Sequence, residues 1–282
     1  MPGGSLRRLV LGLATLLLAG CGGGRSVVPV TIDPPALAEP ADVRRLTDHQ
    51  HAVRGIAAIL VRDLGLPVPA EVTVYVYSSR DVFEQGLIRD GRVSPVRAAE
   101  LSDFAVGVGK RRTLLLQQES GEVGGREWLR LIAHELTHVA QIELAQGEGR
   151  AEQWLSEGMA EWVAFRVLER LSVDRLADRR RVAVDGVRHQ AALQAGRLDL
   201  ATLGTPRGFT LRHLREGSVA TYQLAFLMTD YLIDRDGFGP VVDYFRSFSV
   251  RNDRAGNFRA AFGQSVGEFE AEVLASLIVQ TR

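Results

Sequence analysis

The stretch RLIAHELTHVAQIE, residues 130–143, constrains the fold more than any other part of the chain. Its apolar residues fall at helical spacing, yet two of the six histidines lie inside it, four residues apart, with a glutamate directly after the first. Residues i and i+4 share a helix face, so the imidazoles of His134 and His138 aim at one point. Glu135 sits one position further round, within reach of a water held at that point without being a ligand itself. Ionisable groups on the inner side of a burying helix are costly unless something satisfies them. The pattern His-Glu-x-x-His arises by chance in about one chain in a hundred of this length and make-up, so it needs support from a second segment.

That support comes from QWLSEGMAEW, residues 153–162, which starts a second predicted helix. Two imidazoles do not complete a catalytic zinc site, which usually has three protein ligands and one open position. Glu157 follows His138 with eighteen residues between them. Glu161 stands one turn after Glu157 on the same face. A metal-bound histidine usually passes its other N–H to a carboxylate or carbonyl, and Glu161 is the candidate partner for His134. Gly158 costs about 1 kcal/mol in a helix relative to alanine. Beside a proposed ligand, it is expected to let the second helix approach the first closely. Trp154, Trp162 and Phe165 are expected in the core. The competing reading makes His134 and His138 hydrogen-bonded core histidines and Glu157 and Glu161 a solvated pair. A closed, cysteine-rich structural zinc site is a poor match to this residue set.

Taken together, the two segments resemble the pattern of gluzincin metallopeptidases, most of all the peptidase-MA-like domains of bacterial envelope proteins. The resemblance runs from about residue 71 to the C-terminus and is dense only around the two motifs and the helix containing Tyr222. It implies a zincin-like fold, Zn²⁺ on His134, His138 and Glu157, and peptide-bond hydrolysis with Glu135 as the base. Zinc at such a site lowers the pKa of water towards about 7. The resemblance also implies a donor for the tetrahedral oxyanion from the C-terminal helices. In SVATYQLAFLMTDYL, residues 218–232, Tyr222 matches that position, with His213 in reserve. Substrate is expected to add as a strand along residues 112–118. The superfamily's aminopeptidases hold the free amine with Gly-x-Met-Glu-Asn, and AVGVGKRRTLLLQQ has nothing like it, which points to an endopeptidase. Gln153 stands where the family often has proline. The alternative function is a non-catalytic zincin-fold binding or scaffold lipoprotein.

The N-terminus reads as an address. Arg7 and Arg8 precede an eleven-residue apolar run, residues 9–19, which is too short to span a bilayer in a helix but suits a secretory signal. Leu18-Ala19-Gly20-Cys21 resembles the bacterial lipobox, and Cys21 is the only cysteine. The resemblance implies cleavage before Cys21, lipidation there, and a protein tethered to a membrane of the cell envelope, facing the periplasm. Gly22 in place of the aspartate that favours inner-membrane retention leaves the outer membrane open. Residues 21–40, rich in glycine and proline, are expected to be a tether.

The remaining residues, 41–282, are expected to form one α+β domain. Helix 42–64, strand 71–79 and strands within 103–118 precede the active-site helix at 126–146. Helices follow at 153–171, 174–195 and 218–234, with shorter ones at 239–249, 257–262 and 266–279. The sheet-bearing part is expected to be 41–150 and the helical part 151–282. Hydrophobic residues make up 46% of the chain, enough for a large core. The net charge of zero gives no electrostatic case for nucleic acid. Aspartates interleave with the arginines of DRLADRRRVAVDGVR, residues 174–188, as on a solvated helix face rather than a lipid-binding one.

Overall fold

The computed structural model describes residues 24–281, apart from residues 39, 119, 120 and 149. The chain runs β1 (Arg25–Thr31), α1 (Pro34–Ala38), α2 (His49–Leu64), β2 (Glu71–Tyr77), α3 (Arg80–Arg89), α4 (Pro95–Ser102), β3 (Gly107–Lys110) and β4 (Thr113–Gln117). It continues as helices α5 (Arg126–Ala145), α6 (Gln153–Arg170), α7 (Leu176–Val187), α8 (Ala191–Gln194), α9 (Leu200–Leu203) and α10 (Pro206–Glu216). It ends with α11 (Ser218–Asp236), α12 (Phe238–Ser247), α13 (Arg254–Phe262) and α14 (Val266–Thr281). The class is α+β, with a small mixed sheet followed by helices. No described helix is long and apolar enough to cross a membrane. Residues 1–23, with the signal and Cys21, lie outside the described residues.

The strand order is β1-β2-β4-β3; β1 and β3 pair antiparallel to their neighbours, and β2 and β4 are parallel. Within the tether expected over residues 21–40, residues 25–31 are instead a strand of the sheet. All seven residues of β1 pair with β2, from Arg25 opposite Tyr77 to Thr31 opposite Glu71. Val30 and Ile32 are buried, and α1 packs on α2. The alternation of Val28, Val30 and Ile32 is a strand signal interrupted by Pro29, which an edge strand tolerates.

The expected edge strand, 112–118, is also corrected. β4 lies inside the sheet, and β3 is the edge strand beside it, with β1 at the opposite edge. Leu114 and Leu116 face the main core, while Leu115 packs with Tyr77, Phe83, Leu87 and Ala98 under α3 and α4. A strand apolar on both faces must be covered on both. β3, with Gly107 and Gly109, is left at the rim.

Helix α5 lies against β3 and packs on α2, α6 and α12. Leu129, Ile132, Leu136, Val139 and Ala140 are fully buried, so its other side carries the motif. On α6, Trp154 stacks on Phe269 at 5.3 Å and Trp162 on Phe238 at 5.0 Å, both as core residues. Gly158 does not serve the α5 contact. A Cβ there would fall 2.1 Å from Thr229 Oγ1 and 2.2 Å from the Ala225 carbonyl, so the glycine admits α11 instead. Ala225 is three residues after Tyr222, and this close approach fixes the position of the Tyr222 helix.

Candidate metal centre and cleft

His134 and His138 sit one turn apart on α5, with their Nε2 atoms 3.2 Å from each other. Glu157 on α6 brings Oε2 to 3.3 Å from His134 Nε2 and 3.4 Å from His138 Nε2. A tetrahedron with ligand bonds of the usual zinc length has edges of about 3.3–3.4 Å. The three observed separations fit it. Glu157 Oε1 accepts from Gln153 Nε2 at 2.8 Å, but Oε2 is buried and accepts no hydrogen bond among the described residues.

The far sides of both rings determine their tautomers. His134 Nδ1 is 3.0 Å from Glu161 Oε1, an ion-pair distance without an aligned hydrogen bond. His138 Nδ1 is 3.0 Å from Gln141 Oε1. Both neighbours are acceptors, which favours hydrogen on each Nδ1 and leaves the Nε2 lone pairs on the side of Glu157 Oε2. Three electron-rich atoms facing one another in a buried site require a cation or protons. In the protein alone that demand falls on the histidines. Burial lowers the pKa of His134, but Glu157 and Glu161 outweigh it and lift it to about 10. Burial raises Glu157, and His138 and His134 override this to hold it well below the usual carboxylate range. The three residues offer one ligand atom each and could hold a metal ion.

Apart from Glu161, the groups behind the ligands are not visible in the sequence. Gln141 Oε1 also accepts from Ser156 Oγ at 2.7 Å, and Gln141 Nε2 donates to the Ser156 carbonyl at 2.9 Å. This clamp ties the turn after His138 to the residue before Glu157. Arg130 Nη1 donates to Glu161 Oε1 at 2.6 Å, and its Nε donates to Glu127 at 2.9 Å. Arg130 lies one turn before His134 on the same helix face, which is the only sequence signal for it.

Glu135 is 5% exposed, and burial raises its pKa against the pull of the two histidines. Its Oε2 accepts the Gly109 N–H at 2.6 Å. That contact requires glycine, because a Cβ at Gly109 would stand 2.2 Å from the Glu135 carbonyl. Gln117 N–H donates to the Val106 carbonyl at 2.9 Å, and this sets the alternation along the hairpin. Val106, Val108 and Lys110 bond to β4, so Gly107 and Gly109 turn their main-chain groups to the free edge, towards the site.

Tyr222 stands across from this edge, its ring 6.1 Å from that of His134. Burial, then the carboxylates of Glu157, Glu135 and Glu161, raise its pKa well above 10. His213 lies behind it, with ring centres 6.1 Å apart. The cleft has two chambers, of about 500 Å³ and 380 Å³, which share Phe104, Ala105, Gly107, His134, Glu135 and Tyr222. Tyr222 therefore borders both chambers and His213 neither. Phe165, expected in the core, is half-buried and lines the smaller chamber. In the arginine-rich segment, Arg179 and Arg180 pair with Asp174 and Asp230. No family model, no curated protein and no solved structure matches the chain.

Proposed function

We propose that the protein is a zinc-dependent peptidase of gluzincin type, with a zincin-like fold, acting as an endopeptidase on peptide or protein substrates. The observation that carries this reading is the convergence of His134 Nε2, His138 Nε2 and an otherwise unpartnered Glu157 Oε2. The resemblance of the two motifs to the peptidase-MA-like pattern supports it. An endopeptidase is favoured because the cleft continues on both sides of the ligand point. The proposal includes export and a lipid anchor on Cys21 in the cell envelope, on the strength of residues 7–21.

Zinc on these three atoms would supply Lewis-acid chemistry, acidifying water and polarising a carbonyl. The chain's own groups do the rest. A peptide lies along β3, paired to the outward main-chain groups of Gly107 and to the Gly109 carbonyl, the Gly109 N–H being held by Glu135. Glu135 Oε2 is engaged by the Gly109 N–H, so Oε1 accepts the proton of the attacking water and delivers it to the leaving nitrogen. The raised pKa of Glu135 suits a group that must hold that proton between the two steps. Tyr222 keeps its hydroxyl hydrogen and donates it as a hydrogen bond to the oxyanion. Glu161 and Gln141 hold the two rings in the tautomer that ligation requires.

The test is metal analysis with digestion of an unstructured peptide library, with and without chelator. Glu135→Gln should retain zinc and lose about 10²- to 10⁴-fold in kcat. Full hydrolysis by Glu135→Gln ends the mechanism. Zinc binding without any hydrolysis turns the reading to the non-catalytic scaffold.

A further inference from the structure

The walls of the cleft touch each other at the point where its two chambers meet. Phe104, in the connection between α4 and β3, borders both chambers. Its ring centre lies 4.3 Å from that of His213 on α10. Arg97 on α4 donates to Thr210 Oγ1 on α10 at 3.5 Å. These contacts cross from the sheet side to the helical side. A peptide paired at Gly107, which borders both chambers, and extended past Val106 meets Phe104 at the boundary between them. His213, held between Phe104 and Tyr222, has a buried Nδ1 with no hydrogen-bond partner among the described residues.

We propose that Phe104 is a specificity-determining residue, which keeps the chambers apart until a peptide long enough to fill both displaces its ring from His213. The inference rests on the peptidase reading and names the substrate class as extended, unstructured segments with several residues on each side of the scissile bond. A short peptide fills one chamber and leaves the ring in place. A folded loop cannot pass the joined walls. An aromatic pair contributes little enough beyond its area burial for a long peptide to displace it.

The experiment compares the zinc-loaded full chain with Phe104→Ala, Phe104→Leu and Phe104→Tyr. Two blocked peptides share one central sequence, the short one confined to a single chamber and the long one extended on both sides. The ratio of kcat/KM, long to short, should rise about three- to tenfold in Phe104→Ala, which no longer has to break the ring contact. Phe104→Leu should fall between, and Phe104→Tyr should keep the wild-type ratio. Zinc content measured in parallel separates this effect from damage to the ligands. An unchanged ratio in both Phe104→Ala and Phe104→Leu, with zinc retained, overturns the proposal while the peptidase reading stands. If the zinc-loaded wild type cleaves neither peptide, the peptidase reading falls and this inference falls with it.

Discussion

Two buried carboxylates stand five residues apart at the start of α6, and their surroundings complete them differently. Glu152 is 3% exposed and Glu157 8%. Each has one partnered oxygen: Glu152 Oε1 is 3.0 Å from Arg254 Nε, and Glu157 Oε1 accepts from Gln153. Each leaves Oε2 buried without a hydrogen bond. The backbone of Gly204 presses on Glu152 Oε2, so closely that a Cβ there would lie 1.7 Å away. No imidazole faces it among the described residues. Burial wins over the pull of Arg254 and raises the carboxyl to about 7. Glu157 Oε2 instead faces two imidazole nitrogens. A buried carboxylate oxygen without a hydrogen bond needs a positive partner: burial favours a proton on Glu152, whereas the two imidazoles beside Glu157 could share a metal ion with it.

Breaking the comparison at Glu157 has the largest expected effect. Glu157→Gln keeps the size and removes the charge. Zinc affinity should fall more than about a hundredfold, beyond the loss typical for a residue that only supports a ligand. Competition with a coloured chelator reads this directly. Glu152→Gln should bind zinc like the wild type, and equal losses in the two variants would erase the distinction.

The next effect concerns Glu152 and pH. This carboxyl titrates near 4.5 in the unfolded chain and at about 7 in the fold. Between those values the folded state holds the extra proton, so stability falls as pH rises through that window. The contribution is of order 3 kcal/mol, complete below about pH 4.5 and lost above about pH 7. Urea unfolding of the wild type and Glu152→Gln across this range isolates it. The difference between the two proteins should slope with pH, and a flat difference would mean that Arg254 keeps Glu152 ionised in the fold.

The same contrast explains what was legible in the sequence. α5 and α6 end within one residue of their expected C-termini, because their apolar period is long and strong. His134, His138, Glu157 and Glu161 were readable because helical spacing places such residues on shared faces. Features that depend on which element packs on which were not. Gly158 announces a close approach, but its partner is α11, sixty-seven residues on at Ala225. The edge position of β3 follows from sheet order, which local pattern does not encode. α4 and α10 each open with a cap and a proline, Ser94-Pro95 and Thr205-Pro206, but their short apolar pattern is too weak to mark a helix. Likewise, nothing in the sequence singles out Gln141 or Ser156.

Two smaller effects sharpen the comparison on the Glu157 side. In Gly158→Ala the new Cβ meets the Ala225 carbonyl, which is backbone and cannot turn aside. α11 has to move away from α6, at about 1–3 kcal/mol. Calorimetry should show a lower Tm. Because Tyr222 moves with α11 while the ligands stay on α5 and α6, kcat should fall more than zinc content.

Gln141 tests whether convergence alone defines the site or whether the rings must also be held. Its amide is satisfied on both ends, by His138 and Ser156 on the oxygen and by the Ser156 carbonyl on the nitrogen. Gln141→Ala removes the acceptor for His138 Nδ1 and loosens the join between α5 and α6. Zinc affinity should weaken about 10- to 100-fold, the usual cost of losing such a partner. Gln141→Glu retains an acceptor and should recover most of the affinity. Loss in Gln141→Ala without recovery in Gln141→Glu would assign the effect to the Ser156 bridge and not to the imidazole. Wild-type affinity in both would mean that core packing alone orients His138, and the difference between Glu157 and Glu152 would then reduce to the two nitrogens that only Glu157 faces.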